Sequence, residues 1–93
     1  MKRFIVEREI PEVGQRSISE MREIAGRSND ALAQLAPRVQ WQESFIAADK
    51  TFCVYLAEDE EAIHEHSRIS GIPLVRITEI RKLSDPTMGP RKR

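Results

Sequence analysis

Apolar residues recur with two different spacings along this chain, and segments with one spacing alternate with segments with the other. Residues 3–9 carry aromatic and β-branched side chains at their centre, which indicates a strand that ends before Pro11. From Ser17 to Pro37, apolar positions recur every three or four residues, which predicts an amphipathic helix. Ser17 and Glu20 match the Ser-x-x-Glu pattern of helix starts, in which side chains satisfy the first free backbone N–H groups.

The second half of the chain repeats this order. Residues 39–47 and 50–56 are predicted to form two further strands, and residues 75–83 alternate as a fourth. A second helix precedes this last strand and is expected to end at Ser70, because Gly71 is a typical C-cap.

The order β-α-β-β-α-β predicts an α+β fold of the ferredoxin-like βαββαβ kind, a four-stranded antiparallel sheet with two helices on one face. A chain of 93 residues is long enough for one domain and no more. We expect a single ferredoxin-like domain at residues 1–83. Residues 84–93 hold two prolines, a glycine and several basic residues, which is typical of a loose C-terminal tail.

The predicted strands carry more apolar surface than one helical layer can cover. In the third strand, Phe52, Val54 and Leu56 fill one side, while Cys53 and Tyr55 occupy the other. A sheet with one wet face should instead alternate cleanly between apolar and polar residues. Large exposed apolar patches usually mark an interface, so we expect a homodimer that joins its sheets as a dimeric α+β barrel. A monomer with a half-exposed second face is the alternative.

Charge and cysteine content narrow the class of protein. Fifteen basic and fifteen acidic side chains cancel, which argues against a nucleic acid or a membrane surface as partner. Cys53 is the one cysteine, so no internal disulfide can form, as is usual in a reducing cytoplasm. No apolar run approaches the ~20 residues that span a bilayer. We therefore expect a cytoplasmic protein.

Two histidines lie close together in the second helix, and only one of them is a candidate for chemistry. His64 and His66 are separated by roughly 200° around a helix, so they cannot bind one ion together. His66 lies on the stripe that is expected to face the sheet. It is either a core histidine that is hydrogen-bonded to a strand, or a metal ligand or general base held against the sheet.

Three further side chains could complete a site with His66. The Cys53 thiol is usually inert in a core, and becomes a soft metal ligand only as a thiolate. Tyr55 shares its face and could offer a hydroxyl. Glu7 lies among apolar neighbours in the first strand, where it must find a partner such as Arg8 or Arg81, or shift its pKa.

Four segments form a specific set: residues 4–11, 40–45, 49–55 and 65–73. As a set they resemble a family of small bacterial proteins with a ferredoxin-like domain of unknown function that includes a nickel-binding member. The resemblance extends over residues 2 to about 87. It implies a ferredoxin-like fold, a dimer built through the sheets, and metal held in cavities near the dimer interface. The residues that fall within the matched pattern are Glu7, Trp41, Ser44, Asp49, Cys53, Tyr55 and His66.

The chain departs from the family pattern at two positions. The family has histidine two positions after the tryptophan and phenylalanine after the glycine, whereas Glu43 and Ile72 occupy these places here. Imidazole with carboxylate oxygens suits nickel, and the same donors would take zinc or copper.

We therefore predict a homodimer that binds nickel or another divalent transition metal for storage, buffering or sensing. The predicted metal ligands are His66, Glu7, Cys53 and Tyr55. The alternative is a small-molecule enzyme of the dimeric α+β barrel kind, with His66 as general base and Tyr55 as an orienting hydroxyl. That enzyme requires a closed cavity of about 300 Å³ or more that is lined by both residues. A third hypothesis is an interaction module without a ligand.

Overall fold

The computed structural model of the chain describes residues 1–91, and these form one four-stranded antiparallel sheet with two helices. The strands are β1 (Lys2–Glu9), β2 (Val39–Ile46), β3 (Lys50–Ala57) and β4 (Arg76–Ile80), and the helices are α1 (Ile18–Leu35) and α2 (Glu60–Ser70). The strand order across the sheet is β2-β3-β1-β4, and each neighbouring pair is antiparallel. The predicted ferredoxin-like α+β fold is confirmed.

The helices begin and end where their capping residues lie. The hydroxyl of Ser17 accepts a hydrogen bond from the Glu20 backbone N–H at 3.1 Å, as the capping pattern predicts. Asp59 caps α2 by accepting from the N–H of Ala62 at 2.9 Å. Gly71 ends α2 with φ of 72°, a left-handed conformation that glycine adopts without steric cost.

Both helices pack on the same face of the sheet, and the main core lies between them. Phe4 and Val6 of β1 and Tyr55 of β3 are buried there against Ile63 of α2. Each such side chain contributes on the order of 2 kcal/mol when it is fully removed from water. We call this side of the sheet the helix face. No helix among residues 1–91 is both long and apolar enough to cross a membrane.

Strand β2 does not follow the simple alternation that its sequence suggests. Alternation predicts that Trp41, Glu43 and Phe45 share one side, but the register with β3 shifts between Trp41 and Glu43, which is a β-bulge. The bulge turns Trp41 and Ser44 to the same side of the sheet, where the Trp41 Nε1–H donates to the Ser44 hydroxyl at 2.9 Å. Phe45 therefore lies on the opposite side from Trp41, and the predicted grouping is wrong.

Strand β4 is shorter than the predicted 75–83. It pairs only with β1, from Glu7 opposite Arg76 to Arg3 opposite Ile80. Beyond Ile80 the antiparallel partner strand runs out, because β1 itself begins at Lys2. Residues 84–91 are exposed and hold one short 3-10 turn, Pro86–Met88. The last two residues of the predicted tail, 84–93, lie outside the described residues.

The other side of the sheet, which we call the open face, is not covered by any described residue. Its centre is apolar, and its half-buried or exposed side chains are Ile5, Phe45, Phe52, Val54, Leu56 and Ile80. Phe45 is 58% exposed and lies opposite Phe52 across the strand pair. The chain thus has two apolar sheet surfaces, and its helices cover only one of them.

Candidate functional site

Arg8 lies on the helix face near the end of β1, and it is only 2% exposed. One of its terminal nitrogens donates to the Ser67 hydroxyl at 2.9 Å and to the carbonyl oxygens of Ile72 and Pro73 at 3.2 and 3.1 Å. The other donates to the Tyr55 hydroxyl and to Nδ1 of His66, both at 3.2 Å. Arg8 therefore joins β1 to β3, to α2 and to the loop after α2.

The position of Arg8 follows from the alternation of β1. Phe4, Val6 and Arg8 point to the same side of the strand, so the register that buries the two apolar side chains also buries the guanidinium. Arg8 is not among the site residues predicted from the sequence. The spacing of two from Val6 is the signal that would have found it.

The guanidinium of Arg8 has no carboxylate partner among the described residues. The four ion pairs within that part of the chain all involve other arginines: Arg38, Arg68, Arg76 and Arg81. Burial of a charge is costly unless polar groups replace the lost water. Here neutral oxygen and nitrogen acceptors do this, so the core keeps a positive charge that no carboxylate in the described part of the chain neutralises.

His66 is fully buried, as its helical stripe predicts, and both of its ring nitrogens are engaged. Because arginine can only donate, Nδ1 of His66 must accept, and the ring proton therefore lies on Nε2. Nε2 lies 3.1 Å from the hydroxyl and 3.3 Å from the carbonyl oxygen of Ser28 on α1. Burial, assisted by the charge of Arg8, lowers the pKa of His66 to about 4. The imidazole is neutral at neutral pH.

Tyr55 and Cys53 lie on the same face of β3 and point toward the helices. The Tyr55 ring is 5.4 Å from the His66 ring and 5.8 Å from the guanidinium carbon of Arg8. Burial raises the pKa of Tyr55 to about 12, although the charge of Arg8 opposes the shift. Cys53 is a buried free thiol whose sulfur lies 3.5 Å from the Thr51 hydroxyl. The structure thus brings three of the four predicted site residues to one face.

Glu7, the fourth, lies on the open face, separated from the other three by the sheet itself. Its carboxylate is half-buried and lies 3.7 Å from the Arg76 guanidinium. The predicted partners are wrong, because Arg8 points to the helix face and Arg81 pairs with Glu79 at 3.6 Å. A site that combines Glu7 with His66 within one chain is therefore not formed.

The cluster on the helix face does not fit a metal cation. Arg8 donates to Nδ1 of His66, so the one lone pair of the neutral imidazole is in use, and it also donates to the Tyr55 hydroxyl. A cation at that place would also lie beside an uncompensated positive charge. Within residues 1–91, no group of three or more histidine, cysteine, aspartate or glutamate side chains is close enough to hold a metal.

A cavity of about 70 Å³ lies between α1 and the sheet, beside this network. Tyr55, Cys53 and Arg8 line it, but His66 does not. A larger hollow of about 350 Å³ lies at the surface between Glu12, Gln15, Arg16 and Glu20, away from both His66 and Tyr55. Neither of these two hollows is the closed cavity, lined by both His66 and Tyr55, that the enzyme hypothesis requires.

The family model described as nickel responsive protein SCO4226-like matches residues 4–80, well over half of the chain. The chain belongs to this family. Membership in the SCO4226-like family confirms the resemblance that its four sequence segments carry.

One solved structure also matches. It is the crystal structure of SCO4226 from Streptomyces coelicolor A3(2), at 10% identity and a TM-score of 0.73, over 88% of this chain and 99% of that one. At this level of identity the likeness shows the shared fold. No curated protein sequence matches the chain significantly.

Proposed function

We propose that this chain is a homodimer that binds nickel, or another divalent transition metal, at the seam between two open faces. The observation that carries the proposal is the composition of the open face, where an exposed apolar centre lies beside the half-buried carboxylate of Glu7. The name of the nickel responsive family supports nickel as the metal.

The apolar centre supports the homodimer. Val54 and Ile5 lie opposite each other in the middle of the sheet, and Phe45 extends the apolar surface to β2. A contiguous apolar patch of this kind is typical of an interface. A second copy is the partner that fits, because a two-fold axis pairs one patch with the same patch.

Glu7 supports the position of the metal. A two-fold axis through the open faces brings two copies of Glu7 to one seam, where their like charges favour a divalent cation between or beside them. Its pairing with Arg76 is weak, because that arginine is 72% exposed and 3.7 Å away. Carboxylate oxygens with waters are acceptable ligands for nickel, zinc or copper.

A metal that binds the dimer and not the monomer strengthens the dimer by mass action. The fraction of the protein that is dimeric then depends on the concentration of the metal. This favours sensing or buffering over storage as the role of the protein.

The test is calorimetric titration of nickel into untagged, chelator-treated protein, with sedimentation in the presence and absence of nickel. We expect saturable heat and a stronger dimer with nickel. Glu7→Gln should lose both effects. Glu79→Gln is the matched control, because Glu79 is also a partly buried strand glutamate with a loose arginine partner, but it lies on the helix face.

Two outcomes would contradict the proposal. A monomer at micromolar concentration would remove the interface. Nickel heat that survives in Glu7→Gln but disappears in His66→Gln would place the metal on the helix face instead.

A further inference from the structure

The cavity beside Arg8 combines an apolar wall with a buried positive charge. Ile10, Val13 and Ile72 form its apolar end, where they make a small core cluster of their own. Arg8 lines it as well. An apolar cavity does not require a charged side chain in its wall. The two features together suggest a ligand with an apolar part and a negatively charged part.

One donor of Arg8 is left over. All five hydrogen bonds that Arg8 makes within residues 1–91 involve its two terminal nitrogens, and none of them involves Nε. Within residues 1–91, every side-chain nitrogen or oxygen that is completely shielded from solvent has a hydrogen-bond partner. The Nε–H therefore keeps a small accessible surface, although the residue as a whole is 98% buried, since 2% of it is exposed.

The cavity opens toward the surface along β2. Trp41 and Ser44 on its rim are half-buried, and Ile46 is 46% exposed. The opening is on the helix face, so a dimer through the open faces leaves it free.

We propose that this cavity binds a short aliphatic monocarboxylate, with its carboxylate toward Arg8 and its apolar end toward Val13. A carboxylate supplies the negative charge that the buried guanidinium lacks, through a charge-assisted hydrogen bond. The site is distinct from the proposed nickel site in face, in charge and in ligand, and it does not depend on the dimer.

The size of the cavity limits the ligand. A cavity of about 150 Å³ takes benzene, which has six carbon atoms. The volume here is about 70 Å³, so a molecule of four or five heavy atoms, such as propionate, is the suitable probe. So small a ligand offers few contacts, and we expect an affinity in the millimolar range.

The test compares propionate with propionamide by chemical-shift titration of the 93-residue chain at pH 7 and matched ionic strength. The two molecules have nearly the same shape and differ in charge. We expect propionate to bind at least tenfold more tightly, with shifts at residues that line the cavity. Equal affinity for the two molecules would show that the charge of Arg8 does not contribute to binding, and would overturn the proposal.

A matched pair of variants tests the place of binding. Ala25→Leu adds three carbons inside the cavity, because Ala25 lines it from α1. Ala33→Leu adds the same atoms at an exposed position of the same helix. We expect the first variant to lose propionate binding and the second to keep it. Absence of binding to the unaltered chain, or unchanged binding in Ala25→Leu, would overturn the proposal.

Discussion

Arg8 and Glu7 are neighbours in the chain, but the alternation of β1 places their opposite charges on opposite faces of the sheet. Arg8 points to the helix face, where neutral acceptors surround a cation. Glu7 points to the open face, where a carboxylate borders an exposed apolar surface. One peptide bond thus separates a buried cation from a half-buried carboxylate. If each face binds a ligand as proposed, the two ligands should carry opposite charges.

This comparison also separates two tasks. The helix face holds the fold together through contacts between residues that are distant in the sequence, such as Arg8 with His66. The open face is not covered by any described residue, and its apolar surface is available for association. Substitutions on the two faces should therefore change different measurements.

Removal of the Arg8 guanidinium should have the largest effect. Arg8→Met leaves the acceptors on Tyr55, His66, Ser67 and the loop after α2 without their donor. We expect the free energy of unfolding to fall by about 3 kcal/mol or more in urea denaturation. Arg76→Met is the control on the open face, and should change it by less than about 0.5 kcal/mol. Similar changes in the free energy of unfolding for both variants would show that the two faces do not differ in their contribution to stability.

The second effect is a dependence of stability on pH that comes from His66. Its pKa is about 4 in the folded chain and 6.5 for the unperturbed side chain. Between these values the unfolded chain binds one more proton, so stability falls as the pH falls. The loss should reach about 2 kcal/mol at pH 5, relative to pH above 7.

Urea denaturation across this pH range provides the measurement. His66→Gln should remove this component, because glutamine can still accept from Arg8 but does not titrate. His64→Gln should keep it, since His64 is exposed on the outer side of α2. If the free energy of unfolding of His66→Gln depended on pH as strongly as that of the unaltered chain, the imidazole would not be neutral in the core.

The smallest effect on folding is expected at Phe45, on the open face. Phe45→Ser should lower the free energy of unfolding of the single chain by less than about 1 kcal/mol, since the side chain is 58% exposed. The same change should weaken the dimer in sedimentation equilibrium. Gln34→Ser, at an exposed polar position of α1, is the control and should leave association unchanged. Equal association of both variants would place the dimer interface elsewhere.

Local signals in the sequence were sufficient for the fold. The serine at position 17 and the glycine at position 71 mark helix ends because they satisfy backbone groups nearby in the chain. Apolar spacing also predicted the burial of His66, since the helical stripe needs only the residues of α2.

The candidate site was harder to predict because its contacts are not local. Arg8 meets Tyr55 and His66 across 47 and 58 residues, and only the register of the sheet brings them together. The bulge in β2 leaves no mark in the sequence, yet it decides that Phe45 and Trp41 point to opposite faces. The ligand set proposed from sequence therefore mixed residues from both faces.

Trp41 is the only tryptophan of the chain, and its indole lies on the rim of the cavity with its N–H held by Ser44. When light that tyrosine does not absorb is used for excitation, the fluorescence consequently originates from Trp41 alone, on the helix face. Binding in the cavity should alter the wavelength of maximum emission and the lifetime of this fluorescence. Association through the open face should leave both nearly constant. Trp41 is therefore an intrinsic fluorescent probe of the helix face.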